Sequence, residues 1–227
     1  MSGHSSKREV PSVLRNILDA DVTLSKQFVE FVNKKYPIES IRVHLKSLEI
    51  SCHGNINRVR KIVNTEVCDI SGIPWLFVAI AGLYTGGSAF FLNLLLALIL
   101  DIVVVGILKA FTRRRRPAYN VDDQYATVKM VDKFSFPSGH ATRAVMIGTI
   151  LCLVQPVHII IRLPVILWSV SVSVSRVVLG RHHVLDVVAG AVIGVLEALV
   201  MGLLWRSEEQ VKYIMSLTSN EDPWSSG

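Results

Sequence analysis

The sequence predicts an all-α fold: a multi-span transmembrane helical bundle of about five spans, preceded by an amphipathic N-terminal region. Three observations predict it. The 227-residue chain is 51% hydrophobic with a mean hydropathy of +0.45, and the excess lies in long apolar runs rather than an even spread. Turn-forming Gly and Pro interrupt those runs. Arginines, lysines and histidines collect in two segments beside the runs, residues 109–135 and 175–186. In lipid the backbone must satisfy its own hydrogen bonds, which leaves helices as the spanning element for isolated runs of this length.

The chain divides into a polar N-terminal region (residues 1–66), a membrane-embedded domain (67–204) and a polar C-terminal tail (205–227). In residues 11–32, Leu14, Ile17, Leu18, Leu24, Phe28, Phe31 and Val32 recur at helical spacing, with a break expected near Asp19 to Asp21. This amphipathic helix either lies on the membrane surface or caps the other helices. Residues 38–50 give a weaker helical signal. The first span, 67–84, is short and holds Gly72 and Pro74; Thr85, Gly86 and Gly87 then form a turn. The second, 88–108, carries only Asp101 as a charge. The third starts at Pro137-Ser138-Gly139-His140 and ends at the break of Gln155 and Pro156. The fourth covers 157–175; its Ser–Val alternation suggests a strand, but a lone strand in lipid leaves its backbone unpaired, so helix is expected. The fifth, 184–204, places Gly190, Gly194, Ala198 and Gly202 on one face, the spacing that lets helices approach closely. The tail after Trp205 is expected to be frayed.

A net charge of +6 raises the prospect of nucleic acid, but the basic residues border apolar segments, which fits an anionic membrane face or anionic substrate and not nucleic acid. Arg58, Arg60, Lys61, Arg113, Arg114, Arg115, Lys129, Lys133 and Arg181 fall on one side, against Arg162, Arg206 and Lys212 on the other. The positive-inside bias then places the polar loops in the cytoplasm. Cys52, Cys68 and Cys152 are odd in number and lack ligand spacing, which predicts neither a disulfide framework nor a zinc site.

The chemistry concentrates in residues 175–186, SRVVLGRHHVLD. If a helix begins at His182, Asp186 lies one turn on, where a carboxylate holds an imidazole in one tautomer and leaves the other nitrogen to attack. Lys109, Arg116 and Arg176 supply cations for a phosphoryl group, the arginines as planar forks and the lysine as a point charge. Ser138 and Gly139 open a helix, where a hydroxyl and backbone N–H groups make an anion site. Arg113 to Arg115 read as a membrane-flanking anchor or a localisation signal, or as help with a second phosphate, and His183 as structural. Asp101 and Glu197 read as structural intramembrane carboxylates, Asp101 placed to support Lys109 or to meet Arg143.

Together these segments read K-x6-RP, PSGH and SR-x5-H-x3-D, in order and separated by apolar spans. The pattern resembles the type 2 phosphatidic acid phosphatase superfamily, which includes vanadium haloperoxidases and glucose-6-phosphatase. The wording RRRRPAYN, VDKFSFPSGHATRA and SRVVLGRHHVLD looks most like the polyisoprenoid diphosphate phosphatases of the presqualene diphosphate type. The resemblance implies that His182 attacks phosphorus, Asp186 orients it and His140 protonates the leaving oxygen and then activates water. It assigns Lys109, Arg116, Ser138, Gly139 and Arg176 to the phosphate. It further implies a haloperoxidase-like core, no metal or other cofactor, a lipid phosphate or diphosphate as substrate, and the endoplasmic reticulum or nuclear envelope as location. A broader phosphatidate or sphingoid-phosphate phosphatase, an inactive membrane scaffold and an anion transporter are the competing readings. Oligomeric state stays open.

Overall fold

The computed structural model describes residues 11–36, 44–45, 73–86, 88–117, 134–155 and 157–219. The weak helical signal over 38–50 (44–45 apart), the start of the first span, Gly87, the loop from 118 to 133 and the last eight residues lie outside these, as do Arg58, Arg60, Lys61, Lys129 and Lys133. The described elements are helical: α1 (Ser12–Lys35), α2 (Ile73–Gly86), α3 (Ala89–Thr112), α4 (Gly139–Thr149), α5 (Ile159–Val178), α6 (Val184–Leu203) and α7 (Glu208–Ser219). A π-helical turn, Ile150–Val154, prolongs α4 before the chain breaks at Gln155.

Of the expected spans, α3, α5 and α6 are long and apolar enough to cross a bilayer. The other two apolar helices, Pro74–Thr85 and Gly139–Val154, are shorter. At about 1.5 Å per residue, neither covers a hydrocarbon core of about 30 Å within its described length. Outward-facing Ile99, Val103, Ile107, Leu163, Leu167, Val192 and Leu196 are exposed, as lipid-facing positions should be. The serines that suggested a strand sit in α5. There Ser173 Oγ donates to the Ser169 carbonyl (2.9 Å) and Ser175 Oγ to the Val172 carbonyl (2.6 Å), so the hydroxyls are satisfied within the helix.

The short helix α4 is the most enclosed element: Ala141, Thr142, Arg143, Ala144, Met146, Ile147 and Gly148 are all buried. It packs chiefly against α6, with α5 and α3 completing its surroundings. The small-residue face of α6 makes this possible. A Cβ on Gly190 would lie 2.8 Å from the Ser138 carbonyl oxygen, and one on Gly194 would run into the Thr142 carbonyl and lie 3.0 Å from the Met146 nitrogen. At the far end Ala79, Leu94, Leu98, Met146, Ile150 and Met201 close an apolar core.

Two expectations change. No break occurs near Asp19 to Asp21; α1 is continuous from Ser12 to Lys35, because Asp21 and Ser25 point inward to partners on α6. The C-terminal tail is not frayed over 208–219 but forms α7, tied to the start of α3. Ala89 N–H donates to Glu208 Oε2 (3.0 Å), and the Asn93 side chain both accepts from Arg206 N–H (2.9 Å) and donates to the Arg206 carbonyl (2.9 Å). The tail thus satisfies a helix N-terminus that would otherwise be left with unpaired donors.

The α4–α6 contact predicts a sharp contrast between two glycines. Gly194→Ala should cost about 1–3 kcal/mol of stability, because the added methyl meets backbone that cannot move aside. Gly106→Ala, in the interior of α3 where nothing lies within 4 Å of an added Cβ, should instead stabilise by up to about 1 kcal/mol. Denaturant titration of both variants in detergent checks this; equal stabilities would show that the helices are not held at this distance.

Candidate active site

Four helix ends meet at one end of the bundle. α3 and α5 finish there with Lys109 and Arg176 in their last turns, and α4 and α6 begin there with Gly139 and Asp186 in their first. The negative ends of two helices therefore sit under cations, and the positive ends of two others face the same space.

Backbone contacts bind the three motif segments into one body. At the end of α3, Arg113 takes a left-handed conformation (φ 48°), turning the chain inward. Arg115 then forms an antiparallel bridge with Phe134. Ser135 N–H donates to the Arg114 carbonyl (2.8 Å), and Ser135 Oγ donates to the Arg115 carbonyl (3.0 Å). Thr112 Oγ1 donates to the Phe136 carbonyl (3.0 Å), and Ser138 N–H to the Asp186 carbonyl (3.0 Å).

His182 is placed by the loop between α5 and α6. Gly180, at φ 67°, lets the chain reverse, and the Arg176 carbonyl accepts from both Arg181 N–H (3.1 Å) and His182 N–H (3.2 Å). The ring of His182 is buried, with Nδ1 2.7 Å from the Ser135 carbonyl oxygen. A carbonyl only accepts, so Nδ1 carries the proton and Nε2 presents its lone pair. Burial holds the imidazole well below its ordinary pKa of 6.5; Arg116 adds to that, Asp186 opposes it, and Lys109 and Arg176 reinforce it. The ring is therefore neutral near pH 7.

The expected direct pairing of Asp186 with His182 is not what the geometry gives. Asp186 Oδ2 is 3.8 Å from His182 Nδ1, beyond hydrogen-bond range, because the Ser135 carbonyl occupies that nitrogen. The same oxygen accepts from His183 N–H (2.8 Å), and His183 Nδ1 lies 3.2 Å away. The other oxygen, Oδ1, accepts from Arg114 Nη1 at 2.6 Å. Asp186 thus acts on His182 through its charge and through the helix start they share. His183, N-cap of α6, is the histidine in contact with the carboxylate.

The remaining candidates surround this pair. Arg176 is buried, its Nε donating to Ser175 Oγ (3.3 Å). Lys109 and Arg116 are half-buried and near enough to act on His182 electrostatically. Ser138 is the N-cap residue of α4, yet its hydroxyl does not cap the helix; Oγ is buried and makes no hydrogen bond among the described residues. A buried hydroxyl beside a helix N-terminus suits a phosphate oxygen. His140 is half-buried at the second residue of α4. Among the described residues no three His, Cys, Asp or Glu side chains gather as a metal site.

Sequence reasoning missed Ser135 and misread Arg114. Arg113 and Arg115 are exposed, in keeping with a flanking role, whereas Arg114 turns inward. Its Nη2 donates to Asp21 Oδ2 (2.6 Å) while Nη1 holds Asp186. Deeper in the bundle Asp101 is buried in an ion pair with Arg143, one of the two partners its spacing suggested. Glu197 is buried within electrostatic reach of both.

Comparison with known proteins identifies this arrangement. The profile of the PAP2 superfamily matches residues 90–209, more than half of the chain and all three motif segments. A protein of Arabidopsis thaliana described as a probable lipid phosphate phosphatase beta is 34% identical over 148 residues, covering 54% of this chain and 69% of its own length. The crystal structure of Aquifex aeolicus LpxE superposes with a TM-score of 0.54 at 23% identity, covering 78% of this chain and 94% of that one, a likeness of fold. The chain belongs to the PAP2 superfamily, and it is a membrane-embedded phosphoric monoester hydrolase of that family.

Proposed function

We propose that the protein is a metal-independent lipid phosphatase that hydrolyses polyisoprenoid phosphates or diphosphates through a phosphohistidine on His182. The observation that carries the mechanism is the 2.7 Å contact between His182 Nδ1 and the Ser135 carbonyl, which leaves Nε2 as the nucleophilic nitrogen. Nε2 attacks phosphorus in line, and the P–O bond to the leaving group breaks. His140 gives that oxygen a proton. Water then attacks the phosphohistidine while His140 takes its proton, the P–N bond breaks, and the electron pair returns to Nε2. Lys109, Arg116 and Arg176 carry the charge on the equatorial oxygens, with Ser138 Oγ and the N–H groups opening α4 beside them.

Position and wording support the substrate class. The site lies at the ends of helices whose outer faces are apolar, so a lipid tail stays in the bilayer while its headgroup enters among the cations. The motif wording supports an isoprenoid chain, and with it residence in the endoplasmic reticulum or nuclear envelope. The name of the Arabidopsis thaliana relative supports a second reading, a broader lipid phosphate phosphatase.

Phosphate release from farnesyl and presqualene diphosphate, phosphatidate and a sphingoid phosphate separates the readings. The isoprenoid diphosphates should lead, vanadate should inhibit, and His182→Ala should lose about 1,000-fold or more of kcat. Hydrolysis persisting in His182→Ala would overturn the nucleophile; release from phosphatidate alone would overturn the isoprenoid assignment. An inactive scaffold would release phosphate from none of them.

The pH profile tests the protonation state. His182 must be neutral to attack, and its lowered pKa keeps it neutral below the ordinary 6.5. The acidic limb of kcat/KM should therefore fall below pH 6.5. A limb at or above that value would show a histidine that is neither buried nor surrounded by cations in the working enzyme.

A further inference from the structure

The fully buried residues of α1 are polar; among its apolar side chains Val29 packs half-buried against Ala141, Val177 and Val187. The buried residues are Asp21 and Ser25, while Val13, Ile17, Leu24, Phe28 and Phe31 are exposed. The buried polar face is aimed at one place, the start of α6. Ser25 Oγ accepts from Val184 N–H (2.9 Å) and Asp21 Oδ1 from Leu185 N–H (3.0 Å), the first two donors of that helix. Asp21 Oδ2 takes Arg114 Nη2 at 2.6 Å, and the same guanidinium holds Asp186 at 2.6 Å.

We infer that α1 is part of the active site and that Asp21 is a positioning residue, fixing Asp186 through Arg114 and through the first turn of α6. The inference rests on the phosphatase reading and deepens it. Arg114 is a planar fork between two carboxylates, so its orientation toward Asp186 is set by what its other nitrogen holds. Without Asp21, a nearly buried guanidinium loses one of two charged partners and turns from Asp186 toward water or the phosphate. Asp186 then loses the contact opposite His183, and the helix start carrying His182 loosens with it. Ser25 acts differently: it ties α1 to Val184 and donates to Asp21 Oδ1 (3.4 Å), the oxygen that faces Leu185 N–H and not the one that Arg114 holds. The two residues therefore separate docking of the helix from orientation of the carboxylate.

The test uses the full chain purified in detergent. Asp21→Asn keeps an acceptor for Leu185 N–H and places an NH2 donor, uncharged, where the carboxylate oxygen faced Arg114. It should lower kcat about tenfold with KM within about twofold. Arg114→Gln should fall similarly, and the double variant should be no worse than either single one, because both break the same fork. Ser25→Ala should keep most of kcat. Asp21→Asn with wild-type kcat, or additive losses in the double variant, would overturn the inference. Amide hydrogen exchange at Val184 and Leu185 gives a reading independent of turnover. Exchange should quicken in Asp21→Ala and Ser25→Ala and stay unchanged in His182→Ala; unaltered exchange in Asp21→Ala would overturn the docking itself. A wild-type chain that releases no phosphate from any lipid would instead remove the phosphatase reading, with the exchange result still deciding whether α1 is held.

Discussion

The close approach of α4 and α6 is the constraint on which the site depends. Two helices in this bundle come near enough for Gly190 and Gly194 to meet the backbone of Ser138 and Thr142, with no room for a methyl group between them. Their N-termini therefore open side by side, and Ser138 N–H can reach across to the Asp186 carbonyl. One helix start carries Ser138, Gly139 and His140; the other carries His183 and Asp186, directly after His182. A larger side chain on that face of α6 would move two sets of backbone donors apart, and the cations of α3 and α5 would no longer converge with them. In lipid, where helix association gains little from apolar contact, small residues are what permit this proximity.

The second organising feature is a division of labour among charges. Among the described residues Lys109, Arg116, Arg176 and Asp186 act on His182, and Arg114 links Asp186 to Asp21. Arg114 is committed to both carboxylates, so its charge is internally balanced. Burial above all, with Arg116, Lys109 and Arg176 adding to it, keeps His182 neutral, which is the state a nucleophile needs. The arrangement also explains why a main-chain carbonyl and not a carboxylate holds the imidazole. A carboxylate at Nδ1 would favour the protonated ring; the Ser135 carbonyl fixes the same tautomer with a weaker pull toward the cation.

Much of this was legible in the sequence, and the gaps have physical causes. The motif segments that meet at one end of the bundle were readable because they carry charged and titratable side chains at fixed local spacing, and apolar runs gave the helices nearly to their ends. The fork of Arg114 was not readable, since its partners lie 93 and 72 residues away and nothing in a run of four arginines marks which one turns inward. It is selected by the left-handed turn at Arg113, a backbone property. Ser135 was invisible because its contribution is a carbonyl, which every residue has. The C-terminal helix looked like a polar tail because its value lies in Glu208 and the Arg206 backbone meeting Ala89 and Asn93, a pairing across the whole membrane domain. Asp21 suggested a helix break for a sound local reason, the competition of short polar side chains with the backbone, but its oxygens are occupied by α6 and Arg114.

The buried pair of Asp101 and Arg143 is best understood by asking what it adds that apolar residues would not. An ion pair inside a bundle is weak evidence for stability, because both groups must give up water. Removing one partner, however, leaves an uncompensated charge in a medium of low dielectric, at a cost of about 3–5 kcal/mol. That asymmetry makes the pair a register device: α3 and α4 have one relative height at which the carboxylate and the guanidinium meet, and sliding by a turn separates them. Lys109 lies eight residues beyond Asp101 on α3, and His140 lies one turn before Arg143 on α4. Fixing Asp101 against Arg143 therefore fixes the height of Lys109 relative to His140 at the end where the phosphate would bind. Glycine contacts set the distance between α4 and α6, and this pair sets the level of α3 against α4. Between them they turn three helices that lipid alone would leave free to slide into a frame with one geometry at its charged end.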